Sequence, residues 1–166
     1  MGVKEHKKHN YTLKIGVITV SSTRTKDTDE SGKIIMEAIE KNGHKICGYD
    51  VVKDLKLDIL RALFHLLQNC DVVILNGGTG ISSKDVTAET IKAILDKELV
   101  GFGEIFRLKS YEEIGTAAMM SRAIGGVCCE KLIFSIPGSK GAAKTGCDVI
   151  FSEINHMWYE LNKEKK

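Results

Sequence analysis

Asn76-Gly77-Gly78-Thr79-Gly80, followed by Asp85-Val86-Thr87, holds the residue types that handle phosphates. It comes directly after a short apolar run, residues 71–75, that reads as a buried strand. Glycines at a strand exit adopt positive φ and let the backbone approach a ligand closely. Consecutive N–H groups in such a turn converge on an anion. A carboxylate a few residues on suits a metal ion accompanying that anion. A plain connection between a strand and a helix rarely needs Gly-Gly-Thr-Gly, so the loop reads as ligand-binding. Its N–H groups, from Gly77 to Gly80, are expected to cradle a phosphate.

Two familiar phosphate motifs come close and fail. The stretch from Gly138 to Thr145 fits a P-loop except at Ala143, where the backbone requires glycine. The strand over residues 71–75 is followed by Asn76, not by the aspartate of a Walker B partner. The stretch from Gly78 to Ser83 is a dinucleotide fingerprint with serine for the last glycine, and it follows the third strand rather than the first.

The elements that must position these residues alternate. Strands are expected over residues 13–20, 45–52 and 71–75, with strand-like segments at 121–127 and 131–136. Helices are expected over residues 56–68, 88–95, 101–114 and 142–161. Another carries Ile34, Ile35, Ala38 and Ile39 on one face, with Ser31 as N-cap and Asn42-Gly43 as its end. Strands alternating with helices imply an α/β fold with a mostly parallel sheet covered on both faces. Ligands then bind beyond the carboxyl ends of the strands. That edge gathers Ser21, Asp54, the glycine loop, Asp85 and Ser139 into one crevice. Each has a plainer reading: Asp54 as a cap for the helix near Lys56, Asp85 as a loop carboxylate or a partner of Lys84, Thr87 as a helix cap. Ser121-Arg122 reads as a polar strand end. Ser139 reads as the N-cap of the last helix, itself an anion site.

Composition narrows the class. The 166 residues are 43% hydrophobic, enough for one domain with a full core. Residues 13–161 are taken as that domain, with flexible segments at 1–12 and 162–166. The 24 basic and 22 acidic residues give a net charge of +2, which leaves no electrostatic footprint for nucleic acid. Lysines cluster only near the two ends. The five cysteines lack a C-x-x-C pair and most sit in or beside apolar runs, as small core residues do, so neither a disulfide framework nor a zinc site is expected. The start of the chain lacks the apolar core of a signal peptide, and no run reaches membrane-spanning length, so a soluble cytoplasmic protein is expected.

Four blocks in order resemble the MoaB/MogA family of molybdenum cofactor biosynthesis. They are Thr19-Val-Ser-Ser-Thr-Arg24 with Asp29-Glu-Ser-Gly32; Gly77-Gly-Thr-Gly80 with Asp85-Val-Thr87; Gly101-Phe-Gly-Glu-Ile-Phe-Arg107 with Ser110-Tyr-Glu-Glu-Ile-Gly115; and Ser135-Ile-Pro-Gly-Ser139. The Ser-Tyr-Glu-Glu-Ile-Gly block is similar to the MoaB branch. The resemblance implies a three-layer αβα sandwich of the molybdopterin-binding-domain type, assembled as a homotrimer or a dimer of trimers. It implies a molybdopterin adenylyltransferase, with ATP and molybdopterin as substrates and Mg²⁺ as cofactor. The product would pass to a downstream metal-insertion protein. Some MoaB-branch proteins lack one or both catalytic aspartates and are inactive, so the resemblance leaves as alternative a non-catalytic molybdopterin-binding or scaffolding protein of the same pathway. The two aspartates tied to catalysis in active members fall on Asp54 and Asp85, assigned here to Mg²⁺ directly or through water. Ser21, Ser121, Pro137, Gly138, Ser139 and Lys140 join the glycine loop as pocket residues, with Lys140 or Lys84 neutralising the leaving pyrophosphate. Ser22, Asn76 and Ser83-Lys84 depart from the family pattern at positions where aspartate, threonine and Pro-Arg are frequent.

Overall fold

Successive residues of a strand face opposite sides of a sheet, and here both sides are apolar. On β1 (Lys14–Val20), Ile15 and Val17 face one way and Ile18 and Val20 the other; β3 (Val72–Asn76) repeats this with Val72 and Ile74 against Val73 and Leu75. A sheet of that kind needs helices on both faces, and the computed structural model, which describes residues 9–165, has them. On the first face lie α1 (Glu30–Lys41), α4 (Val100–Ile114) and α5 (Lys140–Asn162), contributing Ile35, Ile39, Phe106, Cys147 and Ile150. On the second lie α2 (Lys56–Leu67) and α3 (Thr87–Lys92), contributing Ile59, Leu63, Leu67 and Ile91. The expected αβα sandwich is the fold.

The remaining strands are β2 (Lys45–Val52), β4 (Lys97–Glu98), β5 (Ile124–Cys128) and β6 (Lys131–Ile136). Their order across the sheet is β2-β1-β3-β6-β5-β4. The first four are mutually parallel; β5 runs antiparallel to β6, and β4, at the edge, runs antiparallel to β5 and so in the direction of the first four. Register does the positioning. Val20 is paired with Val52, Thr19 with Asn76, and Asn76 with Ile136. The loops that begin at Ser21, Lys53, Gly77 and Pro137 therefore leave the sheet side by side.

Several local expectations change. Asp29, not Ser31, caps α1: its Oδ1 accepts from Gly32 N–H at 3.0 Å. Thr19 and Tyr49 hydroxyls hold the other carboxylate oxygen, so Asp29 is already fixed where a cap is needed. Thr87 lies inside α3 rather than capping it, and that helix stops at Lys92. The chain then turns to make β4, too short and polar to be read as a strand. The strand expected from residue 121 begins at Ile124 and turns back through Cys129 and Glu130, both at positive φ (51° and 58°). Such a two-residue turn matches the twist of the flanking strands.

Cys47 on β2 and Cys70 beyond α2 are paired as a disulfide with Cα atoms 5.7 Å apart, where the sequence pattern leads to no disulfide being expected. They are 23 residues apart in sequence, and only the packing of α2 on β2 brings them together.

At the start of the described residues, Tyr11 N–H donates to Asn155 Oδ1, and the His9 ring stacks on Tyr159. The rest of the lysine-rich start, residues 1–8, and Lys166 lie outside the described residues. Among the described residues no helix is long and apolar enough to cross a membrane.

Candidate active site

The aligned strand ends open onto a cavity of about 580 Å³, within the usual range for small-molecule sites. Ser21 lines it from the β1 loop and Asp54 from the β2 loop. Gly77, Gly78, Thr79, Gly80 and Asp85 line it from the β3 loop, and Ser121, Pro137, Gly138 and Ser139 from the other side. Lys140 is the one chosen residue left out. Its Nζ is paired with Glu30 Oε2 at 2.9 Å, so it serves the first turn of α1 instead. Lys84 does line the cavity.

The glycine loop is shaped by its neighbours. Gly77 has φ +100° and a Cβ there would collide with the Val20 carbonyl; Gly78 has φ +67° and a Cβ there would collide with the Thr87 hydroxyl. Both positions therefore require glycine. The expected four-N–H cradle is only partly available. Gly77 N–H extends the sheet, donating to the Ile136 carbonyl at 3.0 Å. Gly80 N–H is turned to the Asp85 carboxylate. The N–H groups of Gly78 and Thr79 have no protein acceptor among the described residues and remain for a ligand.

Asp54 does not cap α2, whose N-cap is Leu55. Its Oδ2 instead accepts from Ser22 Oγ at 2.7 Å, and Ser22 Oγ accepts in return from Asp54 N–H at 3.3 Å. Oδ1 lies 3.3 Å from the position of a Cβ on Gly78, so the carboxylate stands against the loop. Asp85 stands on the loop's other side. Its Oδ2 accepts from Ser82 Oγ at 2.7 Å and Ser82 N–H at 3.0 Å. The Ser82 hydroxyl, with help from the backbone donors and the Arg122 charge, outweighs the opposing effect of burial and holds Asp85 below the ordinary carboxylate value. It is ionised at neutral pH.

Arg122, read from sequence as a polar strand end, is the brace of this site. Its guanidinium donates to the carbonyls of Thr79 (3.3 Å), Gly80 (2.9 Å) and Asp85 (3.1 Å), and pairs with Glu89. A planar fork can hold several acceptors in fixed directions. Pulling the Thr79 carbonyl toward Arg122 turns the Gly80 N–H, on the same peptide plane, the opposite way, toward Asp85.

On the far side, Ser139 Oγ accepts from Ala142 N–H at 3.1 Å and caps α5. The N–H groups of Lys140 and Gly141 stay free among the described residues, as an uncovered helix start leaves them. Arg24 also lines the cavity, held by Ser31 Oγ at 3.0 Å. Ser31 is in turn bonded to Asn76 Oδ1 at 2.7 Å. Arg24 closes the Thr19–Arg24 block, and nothing local in the sequence signals this role for it. Ser21 Oγ accepts from the N–H groups of Thr23 and Arg24, so it shapes the turn that presents Arg24. Ser121 Oγ is buried without a partner among the described residues.

The layers, the strand order and the crevice define a three-layer α/β protein with its site at the carboxyl edge of the sheet. A family model described as a probable molybdopterin binding domain matches residues 16–156. The chain belongs to that family, in the MoaB/MogA group of molybdenum cofactor biosynthesis proteins. It is 46% identical over 169 residues to molybdenum cofactor biosynthesis protein B of Bacillus cereus, covering 99% of this chain and 100% of that one. The protein of the same name from Bacillus subtilis is 46% identical over 170 residues, covering 99% and 100%. A crystal structure of a molybdenum cofactor biosynthesis protein B superposes with a TM-score of 0.90 at 44% identity, covering 94% of this chain and 99% of that one. The tungsten cofactor synthesizing protein MoaB from Pyrococcus furiosus gives 0.84 at 42% identity, covering 92% and 99%.

Proposed function

We propose that this protein is a molybdopterin adenylyltransferase. A non-bridging oxygen of the molybdopterin phosphate attacks the α-phosphorus of ATP. The bond from that phosphorus to the β-bridging oxygen breaks, and pyrophosphate leaves with the electron pair. No general base is required, because the phosphate nucleophile is ionised at neutral pH.

The observation that carries this reading is the placing of Asp54 and Asp85 on two sides of one glycine loop, in one cavity. Their carboxylates, with the Ser22 hydroxyl beside Asp54, form a set of hard oxygen donors that fits Mg²⁺. When bound there, Mg²⁺ would offset the repulsion between two phosphates. The Gly78 and Thr79 N–H groups and the α5 start with Arg24 give two separate anion-binding points, one for each phosphate-bearing substrate. Holding two reactants at fixed points supplies much of the catalysis in phosphoryl transfer.

The outer face of α4 exposes Ile105, Leu108 and Tyr111, which supports assembly into a homotrimer or a dimer of trimers; light scattering tests it. A downstream metal-insertion protein would consume the adenylylated product. The test of function is incubation with ATP, Mg²⁺ and molybdopterin, followed by mass detection of adenylylated pterin and assay of pyrophosphate. Protein that binds molybdopterin and never consumes ATP would be a carrier, and the transferase reading would fall.

A further inference from the structure

Register puts Thr19 of β1 beside Asn76 of β3, on the face of the sheet that α1 covers. Both are wholly buried, as is Asp29 at the head of α1, and none of the three lines the cavity. Buried polar groups need partners, and here they find one another in single file. Arg24 Nη1 donates to Ser31 Oγ at 3.0 Å, and Ser31 Oγ donates to Asn76 Oδ1 at 2.7 Å. Asn76 Nδ2 donates to Thr19 Oγ1 at 2.8 Å, and Thr19 Oγ1 donates to Asp29 Oδ2 at 2.6 Å. A hydroxyl has one proton to give. That of Ser31 goes chiefly to Asn76, because Asp29 Oδ1 is farther, at 3.1 Å, and already accepts from Gly32 N–H. Turning the Asn76 amide over would set its oxygen against the Ile18 carbonyl, which is 3.5 Å from Nδ2, and against a Thr19 hydroxyl whose proton is committed to Asp29.

Every bond in the file therefore points the same way, from a cation in the cavity to an anion outside it. Bonds in such a chain polarise one another and strengthen together. Among the described residues Arg24 is paired with no carboxylate. Glu30, whose charge it feels, is paired with Lys140. A direct ion pair would fix the guanidinium but neutralise it. The chain fixes it through a neutral hydroxyl and leaves its charge for a ligand. The Arg24 backbone is held as well, its N–H donating to Ser21 Oγ at 3.1 Å. Nη1 would lie 3.4 Å from a Cβ built on Gly138, so the guanidinium stands at the cavity wall made by the turn after β6. A cation fixed before the ligand arrives needs little reorganisation when charge must be met.

We infer that Asp29, Thr19, Asn76 and Ser31 are positioning residues that together hold the Arg24 guanidinium ready for a phosphate group of a substrate. Asp29 is the distant counter-charge, and Asn76 sets the direction of the chain. This rests on the site being one for phosphate transfer.

The experiment breaks the chain at Thr19, two links from Arg24 and outside the cavity. Thr19→Val keeps the shape and removes the hydroxyl; Thr19→Ser keeps the hydroxyl. Inorganic pyrophosphate is titrated calorimetrically without Mg²⁺, and thermal melts follow the fold. Arg24→Gln should weaken pyrophosphate binding by about 10- to 100-fold, the range of a charged hydrogen bond. Thr19→Val should weaken it by about 3- to 30-fold, as coupled neighbours do, and Thr19→Ser should restore it. In an Arg24→Gln background Thr19→Val should cost nothing further. A merely structural Thr19 would lower Tm and leave the affinity alone, and that result overturns the inference. So does a Thr19→Val loss of the same size with and without Arg24. Unchanged pyrophosphate binding in Arg24→Gln overturns it too, whether or not Thr19→Val folds. With both substrates, a raised KM for ATP in Arg24→Gln assigns Arg24 to the nucleotide, and a raised KM for molybdopterin assigns it to the pterin's phosphate. AMP transfer with both KM values unaltered overturns the inference and leaves the transferase reading standing. Wild type that binds pyrophosphate through Arg24 and never consumes ATP upholds the chain and sinks the transferase reading alone.

Discussion

Replacing Arg122 by alanine probes how the site is held rather than what it touches. The guanidinium braces three carbonyls and Glu89. Hydrogen bonds from a charged donor contribute about 1.5–3 kcal/mol each when shielded. The Arg122 side chain is 33% exposed and Glu89 50%, so the ion pair adds little. The Gly80 and Asp85 carbonyls can turn to water. Thr79 is buried at 3% exposure, and its orphaned carbonyl should cost about 1–3 kcal/mol. A net loss of about 2 kcal/mol follows, which for a chain of this size lowers Tm by roughly 4–8 °C. Without the brace the Gly80 peptide is free to rotate, and its N–H no longer directs Asp85. A misplacement near 1 Å can cost about 100-fold in rate, so kcat should fall by about 10- to 100-fold with the KM for ATP changing less. Arg122→Lys should resemble alanine more than arginine, because one ammonium cannot span the same carbonyls. Differential scanning calorimetry and initial-rate kinetics read both effects. A Tm matching wild type together with unchanged turnover would refute the bracing argument.

Other outcomes follow from individual groups. Asp85→Ala should abolish turnover while leaving molybdopterin affinity, measured by titration calorimetry, largely intact; retained turnover would remove Asp85 from the mechanism. Burial alone would raise the pKa of Asp29, but Thr19, Tyr49, Gly32 and Ser31 donate to it and hold it below its ordinary 3.8. Its contribution to stability is thus complete above that value and is lost as pH falls through the folded value, so Asp29→Asn should flatten the acid limb of a stability–pH curve. Burial lowers His44 below 6.5, and its Nδ1 accepts from Leu13 N–H, a bond open only to the neutral ring. The unfolded chain therefore binds the proton first, and stability should decline as pH drops below 6.5; urea midpoints of His44→Gln should lack that slope.

Much of this site is legible in the chain because it is local. The run from Val72 to Leu75 is apolar on both faces, and the glycine loop and Asp85 follow within ten residues. The parallel order then puts Ser21 and Ser139 at the same edge. What escaped was decided by partners far away in sequence. Arg122 gives no sign that it will reach back to Thr79, 43 residues earlier. Gly77 loses its N–H to Ile136 because β6 lies beside β3, a neighbour that local pattern does not identify. Asp29 displaces Ser31 as a cap because Thr19 and Tyr49 secure it from two different strands. Lys140 is drawn to Glu30, since the first turns of α1 and α5 meet. Asp54 follows from the same strand order, while its alternative as a helix cap is settled only by Leu55 taking the cap and Ser22 holding the carboxylate.

The most direct test of the account follows the α-phosphorus. ATP carrying a radiolabel at that atom is incubated with the protein, Mg²⁺ and molybdopterin, and the products are separated. The account predicts label in the pterin product, matched by an equal amount of unlabelled pyrophosphate, and no transfer with Asp85→Ala. Label that stays in ATP, or that appears as free AMP with the pterin unlabelled, would contradict it.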